Sequence, residues 1–167
     1  MSAYLSVVIP AFNEADRIEE TLHSIEKYIE QQKLSTEIVV VDDGSTDDTA
    51  ALVKRVADQI SILRLVELRA NHGKGAAVRA GMLDARGEAL LFMDADGSTA
   101  IEELGKLLPY ITRGFDVVVG SRLVAGALKK TKQSATREFL GWIFRALVHV
   151  LVPTDIDRKS TRLNSSH

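Results

Sequence analysis

The tripeptide Asp94-Ala95-Asp96 stands directly after an apolar run, residues 89–93, that has the character of a buried strand. Two carboxylates one residue apart at the carboxyl end of such a strand can share a divalent cation, which in turn can hold the diphosphate of a nucleotide. Hard cations usually bind through one or two carboxylates plus substrate phosphates. Acidic residues after strands also cap helices, so the tripeptide alone leaves both interpretations open.

A second acidic pair, Asp42 and Asp43, follows a run of mostly β-branched residues at 37–41. One carboxylate at this place can accept hydrogen bonds from a base or a ribose, whereas the alternative is a helix cap followed by a turn. Thr46 or Asp47 suits the cap better. We therefore expect Asp42 and Asp43 to be free for a ligand.

Basic residues occupy three further candidate positions. Lys74 lies in the glycine-rich segment Asn71-His72-Gly73-Lys74-Gly75, which opens a helix, so that backbone amides and the lysine can meet a phosphate. Arg122 follows a predicted strand, and its planar fork of donors suits a phosphate. Arg137 is a second candidate, with a salt bridge to Glu138 as its alternative. The glycine spacing matches neither a P-loop nor a dinucleotide-binding fingerprint.

Strand and helix patterns alternate along the chain, which predicts the elements that position these clusters. The predicted strands are residues 5–9 (stopped by Pro10), 37–41, 62–68, 89–93 and 115–119, and the predicted helices are residues 14–32 (capped by Asn13), a helix after Asp47, 74–85 and 101–111. Such alternation predicts an α/β fold with a mostly parallel sheet covered by helices on both faces. Each cluster follows a strand, at the edge where such sheets bind ligands.

The composition is that of a soluble protein with one globular domain. The 167 residues carry a net charge of −2, include 46% hydrophobic residues and contain no cysteine, which excludes disulfides. The pattern predicts neither a secretory signal nor a simple membrane-spanning helix. Basic residues are concentrated in residues 122–167, which indicates either contact with phosphates or a lipid surface, or simply a solvated basic face. Nucleic-acid binding is poorly supported, because this basic segment is short.

Two segments near the carboxyl terminus differ from the rest. Residues 139–152 are apolar almost all round, too short to span a bilayer and suited to its interface, with a helix buried against the sheet as the alternative. Residues 157–167 have no periodicity and are predicted to be a disordered, non-native tail. We therefore expect the domain to cover residues 1–156 and the natural chain to continue past Ile156.

Five motifs in order resemble those of family 2 glycosyltransferases with the GT-A nucleotide-diphospho-sugar transferase fold: residues 8–14, 41–47, 71–75, 94–97 and 120–122. Within the family, residues 73–82 and 94–99 are most similar to dolichyl-phosphate β-glucosyltransferases, with the dolichyl-phosphate mannosyltransferases close behind. The resemblance runs from about Ser6 to Ile156. It implies an inverting transfer of glucose from a nucleotide-sugar donor, UDP-glucose, to a polyprenyl or dolichyl phosphate. The enzyme would then act peripherally at the cytoplasmic face of a membrane.

The resemblance also implies roles for individual residues. Asp42 would contact the base or ribose, Asp94 the ribose or the metal, and Asp96 would ligate Mg²⁺ or Mn²⁺. Arg122 and Arg137 would receive the acceptor phosphate and, with Asp96, form the expected catalytic set. The residues expected at the nucleotide are Pro10, Ala11, Phe12, Glu14, Asp42, Asp43, Lys74, Asp94 and Ala95.

Three other functions stay open at this point. They are a GDP-mannose-dependent polyprenyl-phosphate mannosyltransferase, a transferase that extends a saccharide chain, and a non-catalytic module that binds a nucleotide sugar. Family members that transfer sugar to sugar carry a Glu-Asp pair after the D-x-D as their base. This chain shows no such pair, which favours a phosphate acceptor.

Overall fold

The structure, a computed structural model, describes residues 4–120. In this part of the chain a four-stranded sheet has the order β3-β2-β1-β4, and every neighbouring pair is parallel. The strands are β1 (Leu5–Ala11), β2 (Thr36–Asp42), β3 (Leu63–Glu67) and β4 (Ala89–Phe92). The helices are α1 (Ile18–Gln32), α2 (Thr49–Ala57), α3 (Lys74–Asp84) and α4 (Leu104–Thr112), the last preceded by a 3₁₀ turn at Ile101–Glu103. The first four predicted strands are thereby confirmed.

Helices cover both faces of the sheet, as the sequence predicted. On one face α1 and α2 pack their apolar side chains against the sheet, and Ile18 and Leu22 are fully buried there with Val7 of β1. On the other face Ala77 of α3 packs against Val8 and neighbouring valines. Both sides of β1 are therefore buried, which is why its sequence is apolar without alternation.

Pro10 does not end β1, contrary to the sequence-based prediction, because the strand continues to Ala11 and Pro10 pairs with Val41 of β2. The pairing of β1 with β4 stops at Val8, whose carbonyl oxygen accepts a hydrogen bond from the Met93 amide at 3.1 Å. Residues two apart in a strand direct their backbone groups to the same side. The nitrogen of Pro10 therefore lies past the end of β4, where the described sheet needs no donor.

The helix α3 lies unusually close to the sheet because residue 81 is a glycine. A Cβ atom at Gly81 would lie 2.8 Å from Cγ2 of Val41 and would also overlap Cγ1 of Val8. Both valines are fully buried and stiff at χ1, so they cannot move aside without disturbing the core. The close approach sets the height of the whole helix above β1 and β2.

The first helix begins four residues later than predicted, at Ile18, and Asn13 does not cap it. Asn13 instead takes a left-handed conformation, with a φ of 56°, and its Oδ1 accepts a hydrogen bond from the Thr46 amide at 2.9 Å. Its side chain therefore joins two loops. Asp47 does serve the start of α2, since its Oδ1 accepts the Thr49 amide hydrogen bond at 3.0 Å.

The predicted fifth strand is wrong for the part of it that the structure describes. Residues 115–120 follow a turn at Arg113 and Gly114 and form no strand, and the side chain of Val117 is 77% exposed. The run at 115–119 is apolar apart from Asp116, but within residues 4–120 it has no strand to pair with. An apolar run alone cannot form a strand without such a partner.

Several predictions fall outside the described residues. They concern Arg122, Arg137, the apolar segment at 139–152 and the tail at 157–167. Within residues 4–120, none of the helices has the length and apolar character needed to cross a membrane.

Candidate functional site

The loops that follow β1, β2, β3 and β4 meet at one edge of the sheet and form an open cleft. Because all four strands are parallel, their carboxyl ends reach the same edge, where α/β sheets bind ligands. The cleft has a volume of about 290 Å³, and its lining residues are Pro10, Ala11, Phe12, Glu14, Asp43, Asn71, Gly73, Lys74, Ala77, Asp94, Ala95 and Asp96.

The cleft brings together most of the residues that the sequence singled out for the nucleotide and the metal. Within residues 4–120, Asp42 is the one predicted site residue that does not line it. Asn71, Gly73 and Ala77 line the cleft but were not predicted as site residues. Asn71 and Gly73 belong to the glycine-rich segment already identified, and Ala77 lies one helical turn after Lys74, which is the spacing that could have indicated it.

Asp43 holds the glycine-rich segment in place, so the sequence-based expectation that it would be free for a ligand was wrong. Its Oδ1 accepts a hydrogen bond from the His72 amide at 2.9 Å and its Oδ2 one from the Gly73 amide at 2.7 Å. Charged acceptors of this kind make strong hydrogen bonds to backbone donors. Asp43 is also 98% buried, with a relative exposure of 2%. The carboxylate therefore fixes the loop from which α3 begins.

Asp42 is buried beneath the same edge, with an exposed fraction of 4%. Its Oδ2 accepts a hydrogen bond from the Ser45 amide at 3.1 Å, which closes the turn after β2. Its Oδ1 is buried and has no hydrogen-bond partner among the described residues. A buried acceptor without a partner is costly unless a ligand supplies a donor. The contact between Asp42 and a base or ribose stays a prediction.

Lys74 spans the cleft from the first position of α3 to the Asp94 side chain. Its Nζ lies 2.5 Å from Oδ1 of Asp94 and 5.3 Å from the centre of the Phe92 ring. The ion pair is partly exposed, with 60% of the Lys74 side chain and 41% of the Asp94 side chain accessible. A positive charge therefore already rests on one of the two predicted metal ligands.

Asp96 stands at the mouth of the cleft and keeps its charge. Its Oδ1 accepts a hydrogen bond from the Ser98 amide at 2.9 Å. That amide lowers the pKa of Asp96 below its ordinary value of 3.8, and the Ser98 hydroxyl and the positive charges of Arg17 and Lys74 act in the same direction against the effect of burial. Asp96 is therefore ionised at neutral pH and available to a cation.

Hydrogen bonds to the loop after β2 hold the loop after β1 on the cleft wall. The Glu14 amide donates a hydrogen bond to Oγ1 of Thr49 at 2.9 Å, and the Asn13 amide donates one to Oγ of Ser45 at 2.9 Å. The Glu14 side chain is turned toward Arg17, whose Nη2 lies 2.6 Å from Oε2. The predicted nucleotide residues of this loop thus have a fixed backbone.

The charges of the cleft favour a ligand that carries a cation. Its lining includes the four carboxylates of Glu14, Asp43, Asp94 and Asp96 against the single ammonium of Lys74. A diphosphate would be repelled by such a surface without further positive charge. Residues 4–120 contain no group of three or more His, Cys, Asp or Glu side chains able to hold a metal. Asp94 and Asp96 fit the alternative, a hard cation that takes its remaining ligands from phosphate and water.

The match to a known family covers most of the chain. Residues 6–161 match glycosyl transferase family 2. The chain belongs to this family. The match includes the D-x-D tripeptide, both basic positions outside the described residues, and five residues of the segment predicted to be a non-native tail.

The sequence is similar to that of a dolichyl-phosphate beta-glucosyltransferase from Trichomonas vaginalis. The two are 40% identical over 157 residues, which cover 88% of this chain and 47% of that protein. This family member therefore spans about half the length of the curated relatives that it matches.

Two solved structures resemble the fold described here. Residues 1–349 of TarS from S. aureus match with a TM-score of 0.54 and 31% identity, over 65% of this chain and 32% of that one. The mannosyltransferase PcManGT from Pyrobaculum calidifontis, solved with GDP-Man and Mn²⁺, matches with a TM-score of 0.50 and 37% identity, over 57% of this chain and 28% of that one. The protein thus has the GT-A fold that the sequence predicted.

Proposed function

We propose that this glycosyltransferase moves glucose from UDP-glucose to a dolichyl or other polyprenyl phosphate, with inversion at the anomeric carbon. The observation that carries the proposal is the meeting of Asp94, Asp96 and Lys74 in one acidic cleft of a chain that is 40% identical to a dolichyl-phosphate beta-glucosyltransferase. We include in the proposal that the transferase domain continues to Ile156, since the family match extends past that residue.

The donor is proposed to lie along the cleft with its base near Asp42 and its diphosphate near the D-x-D. The Oδ1 of Asp42 has no partner among the described residues but is buried beneath the cleft, so the proposed contact requires it to become accessible when the donor binds. Phe12, with 40% of its surface exposed, offers an apolar face on the cleft wall. Mg²⁺ or Mn²⁺ bound at Asp94 and Asp96 would neutralise the charge that develops on the departing diphosphate. The PcManGT structure, which contains GDP-Man and Mn²⁺, supports the use of a divalent cation with the nucleotide sugar.

The acceptor side of the reaction needs little acid–base help. An oxygen of the lipid phosphate forms the new bond to the anomeric carbon while the bond from that carbon to the diphosphate oxygen breaks, and UDP leaves. The phosphate is already anionic near neutral pH, so no strong base is required. Arg122 and Arg137, which lie outside the described residues, are proposed to hold it by paired hydrogen bonds.

We further propose that the enzyme works peripherally at the cytoplasmic face of a membrane. A polyprenyl phosphate keeps its hydrocarbon chain in the bilayer, so the cleft must reach the membrane surface to meet it. The concentration of basic residues in 122–167 supports such a contact, because anionic lipids attract basic segments.

The test is a transfer assay with radiolabelled donor. The 167-residue chain is incubated with UDP-glucose, dolichyl phosphate and Mn²⁺, and the product is extracted into organic solvent. We expect labelled lipid that depends on both the acceptor and the cation. Label that appears only when an oligosaccharide acceptor is supplied, and stays in the aqueous phase, would contradict the proposal.

A second candidate is transfer of mannose from GDP-mannose to the same acceptor. It is favoured by the similarity to PcManGT, whose structure contains GDP-Man. The same assay separates the two, because labelled GDP-mannose would then give the lipid product and UDP-glucose would not.

A further inference from the structure

Lys74 and Asp94 form an ion pair across a cleft that is proposed to hold a divalent cation. The ammonium lies 2.5 Å from Oδ1 of Asp94, the distance of a charge-assisted hydrogen bond. A carboxylate oxygen in this contact cannot also bind a metal ion without moving or sharing its charge with two cations. The ion pair and a metal therefore compete for Asp94.

The backbone of Lys74 is fixed, whereas its side chain is able to move. Both oxygens of Asp43 hold the amides of the two residues before Lys74, and Gly73 has a φ of 88°, which starts α3 at the lysine. A Cβ atom at Gly44 would lie 2.8 Å from the Asn71 nitrogen, so this loop also rests directly on the turn after β2. The Lys74 side chain itself is 60% exposed and flexible, so its ammonium can move to a new partner.

The surrounding charges determine what that partner is. Besides Asp94, the cleft lining has the carboxylates of Glu14, Asp43 and Asp96. Glu14 is paired with Arg17, and Asp43 is occupied by backbone amides. A divalent cation that enters alone meets the ammonium of Lys74 at close range and is repelled. A diphosphate that enters with the cation offers oxygen acceptors to the ammonium and releases Asp94.

We propose that Lys74 is a built-in counter-ion that holds Asp94 while no donor is bound and moves to the diphosphate when the nucleotide sugar and the divalent cation enter together. The inference rests on the proposed function and specifies how its site is regulated. Metal binding is thereby coupled to donor binding, and the coupling acts equally in both directions. The cleft keeps a low affinity for the free cation, although its lining is acidic.

The test measures the affinity of the chain for Mn²⁺ alone, by calorimetry or by the paramagnetic resonance of the free ion. Lys74→Met should bind Mn²⁺ about fivefold more tightly than the original chain, which is the size expected for loss of a partly exposed ion pair. The same variant should bind UDP-glucose more weakly when no metal is present. If the lysine only supported the loop, its loss would lower the affinity for both Mn²⁺ and UDP-glucose. A rise in the one affinity and a fall in the other therefore distinguish the proposed role.

Three control variants sharpen the measurement. Lys74→Arg keeps the charge and should keep the low affinity for Mn²⁺. Lys54→Met removes a similarly exposed ammonium that pairs with Glu67 at 2.8 Å outside the cleft, and it should leave the affinity for Mn²⁺ unchanged. Adding Asp94→Asn to Lys74→Met should abolish the gain, because the released ligand is then missing.

The inference is overturned if Lys74→Met, shown to be folded by circular dichroism, binds Mn²⁺ no more tightly than the original chain. If the original chain still transfers glucose to dolichyl phosphate in that case, the proposed function stands and the inference alone fails. A gain in Mn²⁺ affinity in Lys74→Met, together with no lipid product from the original chain, would support the inference and count against the proposed acceptor. If neither the original chain nor Lys74→Met binds Mn²⁺, with or without UDP-glucose, both proposals are wrong.

Discussion

Polar side chains at the two ends of the sheet differ in how completely they are paired. At the amino-terminal end, Glu37 accepts hydrogen bonds from Oγ of Ser6 at 2.6 Å and from Nε of Arg64 at 2.9 Å. Oγ of Ser6 in turn accepts one from the Gly87 amide at 2.8 Å. We call these three side chains the Ser6–Glu37–Arg64 network. At the carboxyl end, by contrast, Oδ1 of Asp42 has no partner among the described residues, and Asp96 faces the open cleft.

The difference separates polar groups that stabilise the fold from groups that we propose to contact a ligand. A partly buried network in which each member is paired holds strands together, and removing one member leaves at least one donor of its neighbours unsatisfied. Carboxylates that are paired incompletely or exposed contribute less to the fold, and nearby negative charges oppose folding. We therefore expect substitutions at the two ends to separate, with stability affected at one end and ligand binding at the other.

The largest effect is expected for Asp96→Asn at the carboxyl end. Glucose transfer should fall on the order of 100-fold, because the stabilisation of transition-state charge by a metal is worth several kcal/mol. The free energy of unfolding in urea should change by no more than about 0.5 kcal/mol, as for other exposed positions. Asp58→Asn, at the exposed end of α2, is the matched control for loss of one charge. A large loss of stability in Asp96→Asn would break the comparison.

The next largest effect is expected at the amino-terminal end of the sheet, where a substitution should lower stability and leave ligand binding unchanged. Glu37→Ala should lower the free energy of unfolding by about 2–3 kcal/mol, because it leaves donors of Ser6 and Arg64 unpaired. The protein that stays folded should bind UDP-glucose and Mn²⁺ as before. Glu67→Ala removes a glutamate whose side chain is 48% exposed and paired with Lys54, and it should cost less than about 1 kcal/mol. Equal losses in the two variants, measured in urea, would show that the network has no special role.

A pair of glycine substitutions tests the packing that connects the two ends. Gly81→Ala should destabilise the protein by about 1–3 kcal/mol, because its methyl group overlaps buried valines. Gly75→Ala lies in the same helix with nothing within 4 Å of its Cβ, and it should stabilise the protein by up to about 1 kcal/mol through helix propensity. Thermal unfolding of both variants gives the comparison. A stabilising Gly81→Ala would mean that α3 lies farther from the sheet than described.

The smallest expected effect is on the pH dependence of the free energy of unfolding. Burial raises the pKa of Glu37. Hydrogen bonds from Ser6, the Arg86 amide and Arg64, together with the charge of Arg64, lower it by more than burial raises it, so that the pKa lies below its ordinary value of 4.5. A carboxyl group whose pKa is lowered by folding stabilises the protein above its unfolded pKa, and this contribution is lost as the pH falls through the folded pKa. The unfolding free energy of Glu37→Gln should therefore fall less steeply below pH 4.5 than that of the original chain. Parallel curves would show that Glu37 does not contribute.

The sequence was sufficient to predict the central sheet and the edge that carries the site. The buried strands were recognisable because β1 and β2 are covered on both faces and each contains a run of consecutive apolar residues, at 7–11 and at 38–41. The cleft followed from the rule that polar clusters after parallel strands share an edge. The family motifs identified the D-x-D residues, and the structure places both in the cleft lining.

The errors came from features that depend on partners distant in sequence. Pro10 is tolerated in β1 because β4 has already ended, and the length of β4 cannot be read from residues near the proline. Asn13 suits a helix cap locally, yet its acceptor is used by Thr46, 33 residues away. The apolar run at 115–119 matched a local strand pattern but had no strand to pair with in the described part of the chain. Local preference is overridden in each case by a contact that only the fold reveals.

The glycine that lets α3 pack closely on the sheet also determines where the first residue of this helix lies. Gly81 lies seven residues beyond Lys74, roughly 10 Å along the helix axis. A larger side chain at residue 81 should tilt the helix and move Lys74 away from Asp94, although no residue of the cleft lining has been substituted. Attempts to re-engineer the sugar preference should therefore include the face of α3 that packs on the sheet as part of the proposed donor site.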